Sequence, residues 1–165
     1  MREPEMRGPG EAGGAAWTEE PRSDPPIPPA PPGGGKIGEV FEYAVLRVIP
    51  RVDRGEAMNA GVLLYCRPLR YLGARIALDA GLLLALDPAA DVAGVERALA
   101  ATAAVCDGAG QDAGPAGHQD IGRRFRWLTA PRSTVVQAGP VHTGLTRDPE
   151  TEIDRLLREL VLRPR

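Results

Sequence analysis

Cysteine is scarce in this sequence, and no two cysteines are close together. The 165 residues hold only Cys66 and Cys106, which lie far apart in the chain. A disulfide-stapled fold or a structural zinc site needs more cysteines or closely paired ones. The sequence therefore predicts two buried thiols in an intracellular protein. The first residues also lack the apolar core of a secretory signal, so we expect a cytoplasmic location.

Long apolar runs and a strong net charge are also missing. The longest apolar run, around Leu82–Leu86, is far shorter than a membrane span. The formal net charge is -2, so no overall field draws the chain to nucleic acid or to a membrane surface. We therefore expect no membrane partner and no nucleic-acid partner. No cofactor-binding motif is recognisable, and none is predicted.

Proline and glycine, by contrast, are abundant at one end of the chain. Residues 1–39 contain nine prolines, and residues 25–32 read PPIPPAPP, a sequence typical of polyproline II. Such a stretch cannot bury enough apolar surface to offset the entropy lost on ordering. The sequence predicts a disordered Pro/Gly-rich tail over 1–39 and a single domain over 40–165.

Three strands are predicted at the start of the domain. Residues 40–52 are rich in β-branched and aromatic side chains and are apolar on both faces. Residues 58–66 form a second strand, in which Gly61 marks a bulge or a close approach of two backbones. Residues 70–78 alternate apolar and polar side chains. Their short polar connections favour an antiparallel meander.

The rest of the domain carries mainly helical signals. The predicted elements are a short helix over 79–86, a helix beginning at Asp87-Pro88 and ending at Gly108, a glycine-rich loop over 108–119, a helical turn over 121–128, a short fourth strand over 134–137 and a final helix from Asp148-Pro149. Strands followed by helices indicate an α+β fold. We expect a small antiparallel sheet, a three-strand meander plus a short fourth strand, with helices on one face.

The densest group of polar side chains lies between residues 123 and 146. The candidate ligand-binding residues there are Arg126, Arg132, Ser133, His142 and Thr143. Arginine binds phosphate through two parallel hydrogen bonds, and hydroxyl groups can complete an anion pocket. The same segment also has a structural interpretation, in which Arg126 snorkels to solvent and Trp127 fills a gap in the core. In this interpretation Thr143 and Thr146 cap the last helix.

No catalytic or metal site is predicted. Ser133, His142 and Asp148 have the residue types of a catalytic triad, but no G-x-S-x-G motif surrounds the serine. The two cysteines and two histidines lack the paired spacing that structural zinc sites use.

Four blocks of the sequence resemble the bacterial DUF3037 family. They are residues 43–52 (YAVLRVIPRV), 59–66 (NAGVLLYC), 124–137 (RFRWLTAPRSTVVQ) and 140–145 (PVHTGL), together with Glu56. The resemblance covers about residues 41–162, with Ala60 standing where the family leads us to expect valine. It implies a bacterial origin but no activity, because the family's function is unknown. Its genes often lie beside that of a HipA-like kinase, which implies such a kinase as a partner.

Two functional hypotheses follow from the sequence. The leading one is a non-catalytic interaction or accessory module, with a HipA-like kinase as the implied partner. The alternative is an enzyme or sensor that binds a phosphorylated ligand or nucleotide through segment 123–146. Convergence of the arginine, serine and histidine side chains on one pocket would favour the alternative, and their dispersal would favour the first.

Overall fold

The structure is a computed structural model that describes residues 38–108 and 113–162, all within one compact unit. Its elements are β1 (Glu39–Val48), β2 (Met58–Cys66), β3 (Tyr71–Ile76), α1 (Ala80–Leu86), α2 (Val92–Asp107), α3 (Gly114–Gly117), α4 (Ile121–Thr129), β4 (Val136–Ala138), β5 (His142–Thr146) and α5 (Pro149–Leu160). The tail predicted over 1–39 lies outside the described residues except for its last two. None of the described helices is long and apolar enough to cross a membrane.

The sheet is antiparallel throughout, in the order β3-β2-β1, and β4 and β5 share the far edge of β1. β4 pairs with Leu46–Val48, whereas β5 pairs with Glu39–Tyr43. The two edge strands are separated by residues 139–141, where Pro140 has no N–H to donate to the ladder. The predicted α+β class and the three-strand meander are confirmed.

A β-bulge divides β2 near its start. Leu46 pairs with Gly61, and Arg47 pairs with Asn59. Ala60 is therefore an extra residue of β2 that has no partner of its own on β1. The bulge shifts the alternation of β2, and Ala60 and Leu63 therefore pack in the same core. This confirms the irregularity predicted at Gly61.

Apolar cores lie on both faces of the sheet. Leu63 and Tyr65 of β2 pack with α1, α2 and α4, while Val62, Leu64 and Cys66 pack with Ile153 and Leu156 of α5. The expectation of helices on one face is corrected here, because α5 covers the opposite face. The physical reason is β2 itself, whose residues 60–66 are all buried and need apolar partners on both sides.

Aspartates cap four of the helices. Asp79, Asp91, Asp120 and Asp148 each accept a hydrogen bond from a backbone N–H in the first turn of α1, α2, α4 and α5. The start predicted for α2 at Asp87-Pro88 is wrong. Asp87 instead ends α1, its N–H donating to the carbonyl of Leu83, and its side chain accepts from the N–H of Ala89 at 3.0 Å.

Two other boundaries test the sequence predictions. Gly108 ends α2 with a left-handed φ of 69°, as predicted. The predicted glycine-rich loop contains the short α3, and its residues 109–112 lie outside the described part. The sequence predicts no helix or strand between residue 137 and Asp148, but the segment after Pro140 is the strand β5.

Candidate interaction surface

Helix α4 places opposite chemistry on its two sides. Phe125 is fully buried and stacks on Tyr65 with ring centroids 5.2 Å apart, and Leu128 is buried with it. These two residues, one turn apart, fix which side of the helix faces the core. Arg123, Arg126 and Trp127 are consequently exposed.

Trp127 lies at the surface with Arg132 stacked on it. Trp127 is 45% exposed, and the Arg132 guanidinium carbon lies 4.1 Å from the centroid of its ring. Arg132 also donates a hydrogen bond to the carbonyl oxygen of Trp127, which closes the loop after α4. The structural interpretation of Trp127 as core packing is therefore wrong, because Phe125 and Leu128 occupy the buried positions. The neighbouring Ser133 is exposed.

An open pocket of about 680 Å³, which we call the arginine pocket, lies beside the N-terminal half of α4. The polar and charged side chains that define it are Glu42, Arg67, Asp120, Arg123, Arg126 and Thr143. Arg126 donates to Glu42 at 2.6 Å, and Arg123 lies 3.3 Å from Asp120. Arg67 is the third arginine of the pocket, which holds only two acidic residues, and it forms no ion pair with any described residue. The pocket therefore carries one positive charge that no acid in it balances.

His142 lies on the other face of the sheet from this pocket. Its ring centroid is 5.2 Å from that of Tyr43, its partner across the β1–β5 ladder. The next residue, Thr143, points to the opposite face because side chains alternate along a strand. Of the five candidate residues, the structure thus brings Arg126 and Thr143 to one pocket, and it places Arg132 on Trp127 and His142 on Tyr43.

The comparisons with known proteins identify the family. A family model described as "Protein of unknown function (DUF3037)" matches residues 43–161. The chain belongs to the DUF3037 family. No curated protein and no solved structure matches it. The resemblance drawn from the four sequence blocks is confirmed, and DUF3037 membership adds no activity to it.

The residue types of a triad have separate roles in this DUF3037 chain. Asp148 accepts from the Thr151 hydroxyl at 2.6 Å and from the Glu150 N–H at 3.1 Å. The Thr151 hydroxyl is the main cause that lowers the pKa of this carboxyl below its ordinary value.

Among the described residues, no three His, Cys, Asp or Glu side chains are arranged to hold a metal ion.

Of the six polar and charged residues that define the arginine pocket in this DUF3037 domain, the sequence candidates include only Arg126 and Thr143. The four that were missed are Glu42, Arg67, Asp120 and Arg123. Glu42 lies on β1 directly opposite Tyr65 of β2 and Thr143 of β5, so the pocket is assembled by strand register. The one signal in the sequence was a charge inside an otherwise apolar strand, which usually has a partner. That partner, Arg126, is 84 residues away.

Proposed function

We propose that this DUF3037 protein is a non-catalytic interaction module that binds a partner protein through Trp127 and Arg132. The observation that carries the proposal is that Trp127 is 45% exposed while the Arg132 guanidinium carbon lies over its ring, 4.1 Å from the centroid. Tryptophan and arginine are the residue types most enriched among the energetically dominant positions of protein interfaces.

The geometry of this pair suits binding because the pair is already ordered. The stacking contact and the hydrogen bond to the Trp127 carbonyl hold the Arg132 side chain in place. A partner that docks on a fixed side chain loses less conformational entropy than one that must order it. An exposed tryptophan also offers a large apolar area that water solvates poorly.

The alternative hypothesis, binding of a phosphorylated ligand through segment 123–146, has less support. Arg126 already pairs with Glu42, and Arg123 with Asp120. These negative charges weaken the attraction of the two arginines for a dianionic phosphate. The remaining candidate residues are divided between the two faces of the sheet and the loop after α4. We therefore favour the interaction module.

A HipA-like kinase is the partner that we propose to test first. The sequence resemblance motivates this choice, and the patch formed by Trp127 and Arg132 gives it a specific surface. The measurement is the Kd between this chain and a HipA-like kinase encoded in the same genome, by isothermal calorimetry. We expect Trp127→Ala and Arg132→Ala to weaken binding by about 30-fold or more, the effect of losing a dominant interface residue.

Leu84→Ala is the matched control, because Leu84 is 41% exposed on α1. It should leave the Kd unchanged. The free energy of unfolding of all three variants should lie within about 1 kcal/mol of the wild-type value, as is usual for surface substitutions. A kinase that binds equally well to Trp127→Ala removes this surface from the proposal. If the kinase does not bind the wild type, the kinase is rejected as the partner. The interaction module is then tested by comparing the host proteins that the wild type and Trp127→Ala retain from a lysate, since a specific partner should be retained only by the wild type.

A further inference from the structure

The outer edge of β5 lacks the features that normally protect a strand edge. Its sequence, HTGLT, contains no lysine, acid or proline, and among the described elements its only extensive neighbour is β1. Natural sheet edges are usually protected by charges, proline or bulges against pairing with another chain. The opposite edge, β3, follows that rule, since its Arg75 pairs with Asp154 at 2.7 Å and with Glu150.

One face of the β5 edge carries an exposed apolar pair. Leu145 pairs directly with Val40 of β1, and each is 56% exposed. Val40 also lines the arginine pocket together with Thr143, so Leu145 and Thr143 lie on the same face of the edge strand. This face therefore presents an apolar position and a polar position two residues apart.

The polar position next to Thr143 suits a carboxylate. Arg126 donates to Glu42 through Nη2 and has further N–H groups that can donate to a second acceptor. The Thr143 side chain is exposed and can donate its hydroxyl proton. With one arginine charge unbalanced in the pocket, a single negative charge matches it better than a neutral or a positive group.

We propose that β5 accepts an extended segment of a partner protein as an additional strand of the sheet. The segment carries an acidic residue opposite Thr143, and an apolar residue two positions away opposite Leu145. Backbone hydrogen bonds along β5 supply the pairing, and the two side-chain positions select the sequence. This inference rests on the proposed function, because it names the chemistry of the partner.

The probe is the peptide acetyl-Ser-Val-Thr-Glu-Thr-Val-Ser-amide, whose pattern reads the same in both strand directions. Titration of the ¹⁵N-labelled full chain should shift amide signals of β5 and Arg126, with saturation below ~1 mM, the weak end of specific binding. The same peptide with lysine in place of glutamate should bind at least 10-fold more weakly. A peptide methylated on alternate backbone nitrogens should not bind, since it cannot complete the ladder.

Charge reversal on the protein completes the design. Arg126→Glu should weaken the glutamate peptide at least 10-fold and should favour the lysine peptide. Arg158→Glu makes the same charge change at an exposed position of α5 and should leave both affinities unchanged. Leu145→Lys should weaken both peptides, and because Leu145 is exposed the variant should still fold.

Three results would overturn the inference: no binding of the glutamate peptide at ~1 mM, equal binding of the two peptides, or signal shifts that avoid β5. Its failure is distinguishable from failure of the proposed function. If Trp127→Ala abolishes partner binding while Arg126→Glu and Leu145→Lys do not, the interaction module stands and the β5 edge is not its peptide site.

Discussion

Gly61 of β2 lies directly against the backbone carbonyl of Arg75 in β3. A Cβ placed on Gly61 would be 2.6 Å from that oxygen and 3.1 Å from Cδ1 of Ile76. The oxygen belongs to the backbone of a paired strand, so it cannot move without disturbing the ladder. The position next to the bulge in β2 therefore requires glycine, because there is no space for a side chain between Gly61 and β3.

Gly61→Ala should destabilise the fold by about 1–3 kcal/mol, the usual effect of overpacking a core. Urea denaturation followed by circular dichroism measures it. Gly81→Ala is the control, because a Cβ there would meet its nearest neighbour at 3.4 Å, an ordinary contact, and alanine is the better helix former. A Gly61→Ala variant as stable as the wild type would show that the two strands separate easily at the bulge.

Helix α5 should contribute strongly to stability through its buried side. Ile153 is fully buried against β2, so Ile153→Ala should lower the free energy of unfolding by about 2–5 kcal/mol. Leu160 on the same helix is 36% exposed, and Leu160→Ala should change it by less than about 1 kcal/mol. Equal effects of the two substitutions would mean that α5 is not docked through Ile153.

The sequence predicted most of the sheet because its strands carry strong local signals. The second strand was predicted with its observed bounds, since a dense apolar run bounded by a turn has few other interpretations. β5 was missed because Leu145 is its only large apolar residue, so the sequence HTGLT shows neither an apolar run nor an alternation of apolar and polar side chains. It becomes a strand only because β1 offers an unpaired edge, which is a tertiary effect.

The candidate site was harder to predict because it depends on distant pairings. Arg126 and Thr143 share a pocket through the register of β1 with its neighbours, which no local pattern encodes. Trp127 was placed in the core because large aromatic residues usually lie there. In the structure Phe125 and Leu128 lie on the side of α4 that faces the core, so Trp127 is turned towards solvent.

Asp148 should make the stability of the chain depend on pH in the acid range. Its pKa is lowered by the hydrogen bonds that it accepts at the start of α5, the Thr151 hydroxyl first. A lowered folded-state pKa means that the stabilisation is present above the ordinary value of 3.8 and is lost as the pH falls through the folded value. Asp148→Asn keeps a good capping residue but removes the titrating group.

The test of this acid dependence is the Tm of wild type and Asp148→Asn from pH 7 down to pH 2. The wild type should melt at the higher temperature at neutral pH, since a negative charge at a helix N-terminus is stabilising, and the difference should close below pH 3.8. A difference that stays constant over the whole range would mean that the carboxylate charge plays no part in the cap.

The Cys106 thiol should be inert in the folded protein. Cys106 is 3% exposed, and burial raises the pKa of its thiol to about 12, with the nearby Asp107 charge acting in the same direction. Because the thiolate is the reactive form, a buried thiol with a raised pKa reacts only when the structure opens.

Cys66 is buried as well, so at pH 8 Ellman's reagent should find no rapidly reacting thiol in the described residues of the native chain. Both thiols should react at once in denaturant. In Cys66→Ala, the remaining thiol should react at a rate that rises with urea in step with unfolding. A fast reaction of that thiol without urea would show that the C-terminal end of α2 opens in the native state.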